Sequence, residues 1–124
     1  MKDIVKCYYS GEEEQVILNH VDFSVQKGEF VSILGPSGSG KSTMMNIIGC
    51  LDVPTSGHYT LNGRVIADLD EKELAHIRNQ EIGFVFQSFQ LLQRSTVLEN
   101  VELPLLYGKV PTHERRRKAE EILE

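Results

Sequence analysis

Apolar residues recur along this chain in two rhythms, and the switch between them predicts its elements. Ile4 to Tyr9 reads as a first strand, closed by Ser10-Gly11 and the acidic run Glu12-Glu13-Glu14. Val16 to Leu18 predicts a short strand, and Val21-Asp-Phe-Ser-Val25 alternates with period two, the pattern of a half-buried antiparallel strand. Lys27-Gly28 supplies a turn into Phe30 to Leu34, a further strand. The first thirty residues therefore predict a small antiparallel sheet that leads into a strand ending at Leu34.

Beyond that strand the rhythm changes. Lys41 to Leu51 predicts a helix, and Pro54-Thr-Ser-Gly57 breaks it. Tyr59 to Leu61 and Arg64 to Ile66 flank Asn62-Gly63, a dipeptide that favours a type I′ turn, so a hairpin is expected. Asp70 to Asn79 predicts a helix, with Glu81 at its end or in the turn after it. Ile82-Gly-Phe-Val-Phe86 predicts a second buried strand. Thr96 and Glu99 have the spacing of a helix cap, and Pro104 is expected to bend or interrupt the helix they start. Thr112 to Glu124 is the clearest late helix, because Glu114–Lys118, Arg116–Glu120 and Arg117–Glu121 all stand four apart. Ion pairing with those acids explains the basic run Arg115-Arg-Arg-Lys118 more simply than RNA binding does.

Chemistry enters at the junction of strand and helix. Gly35-Pro-Ser-Gly-Ser-Gly-Lys-Ser-Thr43 matches G-x-x-x-x-G-K-[ST], a loop that holds nucleotide phosphates. Gly35, Gly38 and Gly40 permit a tight curve whose N–H groups point inward, and the helix start adds free N–H groups and a favourable dipole. Lys41 is expected to reach the β and γ phosphates, Ser42 to coordinate Mg²⁺ and Thr43 to assist at the α phosphate. Gln87, directly after the strand ending at Phe86, is either a sensor of Mg²⁺ and water or an ordinary turn residue. One of Tyr8 and Tyr9 could stack on adenine, and core packing is the competing explanation for either.

Composition narrows the class without naming it. The chain has 124 residues, 40% of them apolar and 25% charged, as expected of one soluble domain. Thirteen basic against eighteen acidic residues leave a net charge of −5, which offers no general attraction to nucleic acid. Cys7 and Cys50 fit two free thiols in a reducing cytosol. No early stretch has the apolar core of a signal peptide, and Met44 to Leu51 is too short to span a bilayer.

Together, the phosphate loop, Met44 to Asp52, Pro54-Thr-Ser-Gly57, Gly83 to Leu92 and Thr96 to Leu105 resemble the ATP-binding subunit of ABC transporters. The wording is most similar to the branch serving lipoprotein release, macrolide and peptide export, and cell-division permeases. The resemblance implies an α/β fold: an incomplete P-loop NTPase core with an N-terminal antiparallel β subdomain and the start of a helical subdomain. Residues 1–124 would form the N-terminal portion of the ATP-binding domain, with 88–124 as the Q-loop region and the start of the helical subdomain. It assigns Tyr8 to the aromatic that stacks on adenine, with Tyr9 a near alternative. Gly35, Ser37, Gly38, Ser39, Gly40, Lys41, Ser42 and Thr43 would bind ATP, Ser42 and Gln87 would attend Mg²⁺, and Lys41 and Gln87 would take catalytic roles. Ser37 to Ser39 would also face the signature loop of a second ATP-binding subunit. The remaining partner implied is an integral membrane permease, which would hold the chain at the inner face of the cell membrane.

The family pattern is not complete in these residues. They contain no Leu-Ser-Gly-Gly-Gln signature, no strand tipped by Asp-Glu, no D-loop and no histidine placed as the switch residue. His20 and His76 read as surface or helix-face residues. ATP binding with negligible hydrolysis by this chain alone is therefore the expectation, while a full-length parent would be a transport-coupled ATPase. Two alternatives are a self-contained small P-loop kinase or NTPase, and a non-catalytic fragment that self-associates through uncovered strand edges.

Overall fold

The computed structural model describes all residues, 1–124, and the chain divides into two compact units, Met1–Leu74 and Ala75–Glu124. In the first, β1 (Lys2–Ser10) and β2 (Glu13–Val21) form an antiparallel hairpin, and β3 (Ser56–His58) pairs with the other edge of β1. The order is β2-β1-β3. Register shifts on either side of Lys6 mark a bulge, so the inward alternation of β1 slips and Ile4, Lys6 and Cys7 are all buried. Gly57 on β3 has φ +101°, and a Cβ there would lie 2.3 Å from the carbonyl oxygen of Asp3. Only glycine lets these two backbones approach so closely.

Helix α1 (Lys41–Ile48) buries Met44 and Ile47, which join Ile4, Leu18, Tyr59 and Ile66 among the core residues of this unit. The Tyr59 hydroxyl donates to the carbonyl of Ile48 at 2.7 Å, satisfying an acceptor at the helix end. Burial, and then the nearby Cys50, push that phenol well above its usual pKa. The expected hairpin forms as β4 (Thr60–Leu61) and β5 (Arg64–Val65), with Asn62 and Gly63 at φ +48° and +81° as a type I′ turn requires. Cys7 and Cys50 are buried thiols, not joined in a disulfide.

α2 (Glu71–Gln80) contains the boundary between the units. In the second unit, α3 (Val97–Tyr107) and α4 (Thr112–Leu123) make a helical hairpin. The Thr96 hydroxyl accepts from the Glu99 N–H, and the Glu99 carboxylate accepts from the Thr96 N–H, a full capping box. Those hydrogen bonds from Thr96 hold the Glu99 carboxyl below its ordinary pKa. The Arg115 side chain reaches Glu102 at 3.5 Å and the Val110 carbonyl at 3.3 Å. On α4 the three expected ion pairs form, Glu114–Lys118, Arg116–Glu120 and Arg117–Glu121, at 2.8, 3.2 and 2.6 Å.

Several local expectations need correction. β2 covers Glu13–Val21 as one strand, and residues 22–25 form none. The helix after the phosphate loop ends at Ile48 rather than Leu51, where Gly49 closes it. α3 runs through Pro104 without interruption. Pro104 removes one backbone rung, but Asn100 N–H to Thr96 O and Gly108 N–H to Pro104 O, both at 3.0 Å, hold the turns on either side. Most telling, Phe30 to Leu34 and Ile82 to Phe86 enter no strand ladder. Phe30, Leu34 and Val85 are 94%, 89% and 101% exposed. A parallel strand is stable when neighbours pair with it and helices cover it, and neither segment has a pairing partner among these residues.

Candidate phosphate-binding site

The phosphate loop begins where residues 30–34 end and closes at the first turn of α1. A turn from Pro36 to Ser39 (N–H to carbonyl, 3.3 Å) starts the curve, and Gly38 and Gly40 continue it at φ +80° and +85°. Both lie in the left-handed region that side-chain-bearing residues avoid. Gly40 also packs tightly against β2: a Cβ there would stand 2.9 Å from Leu18 Cδ2 and 3.1 Å from the carbonyl oxygen of Ile17. The loop is thus seated on the sheet at its last glycine.

Gly40 caps α1 with no side-chain hydrogen bond, and the first helical rung is Met44 N–H to Gly40 O at 2.8 Å. The N–H groups of Lys41, Ser42 and Thr43 consequently have no acceptor within the helix, and no acidic residue occupies its first turn. This end of the helix suits an anion. Lys41 folds back over the loop, donating to the carbonyls of Gly35 at 2.9 Å and Pro36 at 2.6 Å and to Ser39 Oγ at 3.3 Å. An ammonium has three N–H donors, so a phosphate oxygen would replace the longest of these bonds first.

An open cavity of about 550 Å³ lies here, lined by Ile17, Ser37, Gly38, Gly40, Lys41, Ser42 and Thr43. Six of the expected loop residues line it, while Gly35 and Ser39 do not line it and instead accept hydrogen bonds from Lys41. Its backbone donors, single cation and Ser42 hydroxyl fit a polyphosphate with a hard divalent ion. Ile17 is a lining residue that sequence reasoning missed; its place in β2, beside the loop only after folding, leaves no spacing signal.

Tyr8 and Tyr9 do not line the cavity. The Tyr9 hydroxyl donates to Glu14 at 2.9 Å, and that hydrogen bond raises its pKa. The Tyr8 hydroxyl donates to Asp52 Oδ2 at 2.9 Å, and Asp52 Oδ1 also accepts from the buried Lys6 at 2.7 Å. Burial alone would raise the Asp52 pKa. Hydrogen bonds from Lys6, Tyr8 and the Val53 N–H, with the charge of Lys6, outweigh that and lower it. Gln87 lies in the second unit, exposed, in the stretch that makes no ladder.

Comparison with known proteins agrees with this geometry. The sequence profile described as ABC transporter matches residues 18–124. The uncharacterized ABC transporter ATP-binding protein YvrO of Bacillus subtilis is 58% identical over the whole chain, which covers 54% of that protein. Macrolide export ATP-binding/permease protein MacB of Marinobacter nauticus is 48% identical over 99% of the chain, which covers 19% of MacB. The ATP-binding cassette MJ0796, from Methanocaldococcus jannaschii, was solved as a dimer in a post-hydrolysis state bound to ADP and Pi. It superposes with a TM-score of 0.85 at 52% identity, covering 97% of this chain and 53% of that one. The expected α/β class, an incomplete P-loop core with an antiparallel β subdomain and helices, is the fold this superposition gives. The chain spans about half the length of YvrO and MJ0796. No helix in it is long and apolar enough to cross a membrane.

Proposed function

Because the chain belongs to the ABC transporter ATP-binding cassette family, we propose that it binds Mg-ATP through Gly35–Thr43 as the N-terminal portion of a transport motor. The observation that carries this reading is the convergence of Lys41, the Ser42 hydroxyl and the uncapped start of α1 on one cavity. Loop N–H groups and Lys41 hold the β and γ phosphates, and Thr43 assists at the α phosphate. The Ser42 hydroxyl would hold Mg²⁺, which when bound would offset charge on the terminal phosphate oxygens. Tyr8 stacks on the adenine. In a longer parent, Ser37 to Ser39 face a second ATP-binding subunit, and the assembly drives a membrane permease from the inner face of the membrane.

Titration calorimetry with MgATP tests the core of this proposal. Lys41→Ala is expected to weaken binding about 10- to 100-fold, the loss of charge-assisted hydrogen bonds, with the fold retained. A folded wild-type chain that shows no binding overturns it. A self-contained kinase gains no support from Arg115 to Arg117, because each of these arginines already reaches a glutamate. One further reading has a specific observation behind it: the exposure of Phe30 and Leu34 in the first unit and of Val85 in the second favours self-association. Light scattering tests that, and a monodisperse monomer refutes it.

A further inference from the structure

Around Tyr8, the residues Lys6, Asp52 and Val53 close a polar network that the phosphate loop does not use. Lys6, buried by the bulge in β1, donates to Asp52 Oδ1 at 2.7 Å and to the Val53 carbonyl at 2.8 Å. The Val53 N–H donates to the same Asp52 oxygen at 2.8 Å, and the Tyr8 hydroxyl takes the other. The segment is stitched to β1 twice more: the Cys7 N–H donates to Thr55 Oγ1 at 2.9 Å, and the Thr55 N–H donates to the Val5 carbonyl at 2.8 Å. The Lys6 ammonium also sits over the Tyr8 ring, 5.0 Å from its centroid. One face of the ring is thereby occupied by a cation. Tyr8 as a residue is nonetheless 43% exposed, so it remains accessible to a flat ligand.

We propose that Lys6 and Asp52 are positioning residues that present the ring of Tyr8 to a nucleobase and tie it to the helix that carries the phosphate loop. The proposal deepens the reading of Tyr8 as the adenine-stacking residue and rests on it. Its logic is geometric. α1 starts at the loop, and Asp52 follows four residues after its end at Ile48. An eight-residue helix is about 12 Å long and stiff on that scale. Loop and ring are therefore held by opposite ends of one rigid element, which fixes the separation between the phosphate end and the base end of the site. Without the tether, a half-exposed tyrosine would sample several rotamers, and binding a base would have to order it.

Calorimetry on the full 124-residue chain, with MgATP and with magnesium tripolyphosphate, separates the two ends of the ligand. Tyr8→Phe keeps the ring and removes the tether without unpairing Lys6, so its fold is expected to be intact by circular dichroism. It is expected to weaken ATP about three- to tenfold, one lost hydrogen bond to a carboxylate, while tripolyphosphate stays within twofold of wild type. Tyr8→Ala is expected to weaken ATP at least as much. Asp52→Asn added to Tyr8→Phe is expected to cost no further affinity beyond a factor of two, because both changes break one tether. If Tyr8→Ala weakens ATP while Tyr8→Phe does not, the ring acts untethered, and the proposal fails while the stacking reading stands. If Tyr8→Ala leaves ATP binding unchanged, the stacking reading fails and this proposal with it. Equal losses for ATP and tripolyphosphate in Tyr8→Phe would show general damage to the sheet and likewise overturn it.

Discussion

Gly40 is the point where the phosphate loop rests on the sheet, and substituting it with alanine separates two costs that the neighbouring Gly38 allows to be calibrated. Both glycines have left-handed backbones, at φ +80° for Gly38 and +85° for Gly40. An alanine there costs about 1–2 kcal/mol from the backbone alone. Nothing lies within 4 Å of a Cβ placed on Gly38, so Gly38→Ala should cost that much and no more. A Cβ on Gly40 meets Leu18 Cδ2 at 2.9 Å and the Ile17 carbonyl at 3.1 Å. The leucine methyl can turn aside, but the carbonyl belongs to β2, and pushing it adds about 1 kcal/mol. Gly40→Ala should therefore cost roughly 2–3 kcal/mol in all. The chain has two ways to take that cost: to hold the loop and lose stability, or to let the loop relax and lose the site. Urea denaturation and tripolyphosphate calorimetry on both variants measure the two together. With a denaturant slope of about 1–3 kcal/mol per molar, the first route lowers the urea midpoint by about 0.7–3 M. The second leaves the midpoint in place and weakens tripolyphosphate about tenfold or more. A Gly40→Ala chain with wild-type midpoint and wild-type tripolyphosphate affinity would refute the geometry assigned to this loop.

The remaining expectations bear on the rest of the fold. Gly57→Ala places a Cβ 2.3 Å from the Asp3 carbonyl oxygen and 2.9 Å from Ile4 Cα, both backbone atoms that cannot turn aside. A loss of roughly 3 kcal/mol or more is expected in urea denaturation, and an unchanged midpoint would contradict the β1–β3 approach. Because the folded pKa of Asp52 is lowered from its ordinary 3.8, the group adds stability that is fully present above that value and fades as pH falls through the depressed one. Urea midpoints for wild type and Asp52→Asn should converge as the solution is acidified below about pH 4; a constant gap would remove Asp52 from the acid response. Thr96→Ala removes the cap of α3 and should cost about 1 kcal/mol, read as faster amide exchange in the first turn of that helix.

What could be read from the sequence was what neighbours in the chain decide. Asn62-Gly63 fixes its turn by its own φ preferences, Thr96 and Glu99 cap each other across one turn, and the ion pairs of α4 are four residues apart. The phosphate loop is legible for the same reason, since its glycines, lysine and serine lie within nine residues. Lys6 and Asp52 carry no such signal. They are 46 residues apart, and a strict period-two reading of β1 would not bury both Lys6 and Cys7. The bulge that does so is a property of the pairing with β2, not of β1 alone. Ile17 enters the cavity by the same route, through the packing of β2 under Gly40.

The unpaired segments make the complementary point about what a phosphate loop needs. Phe30 to Leu34 is as strand-like as β1 in composition, yet it forms no ladder and leaves Phe30 and Leu34 in solvent, because strand character is realised by a partner rather than by the residues themselves. The loop that follows it nevertheless keeps its curve. Its order comes from the other side: Gly40 seated against Ile17 and Leu18, α1 buried through Met44 and Ile47, and Lys41 bonded to the Gly35 and Pro36 carbonyls. Lys41 therefore has two parts to play, holding the loop closed from within and offering charge to a phosphate. Since the weakest of its three bonds, to Ser39 Oγ at 3.3 Å, is the one a ligand would displace, the loop gives up little internal order on binding. Pre-organisation of that kind is set by the helix side of the motif, which is why the site survives where the strand before it does not form.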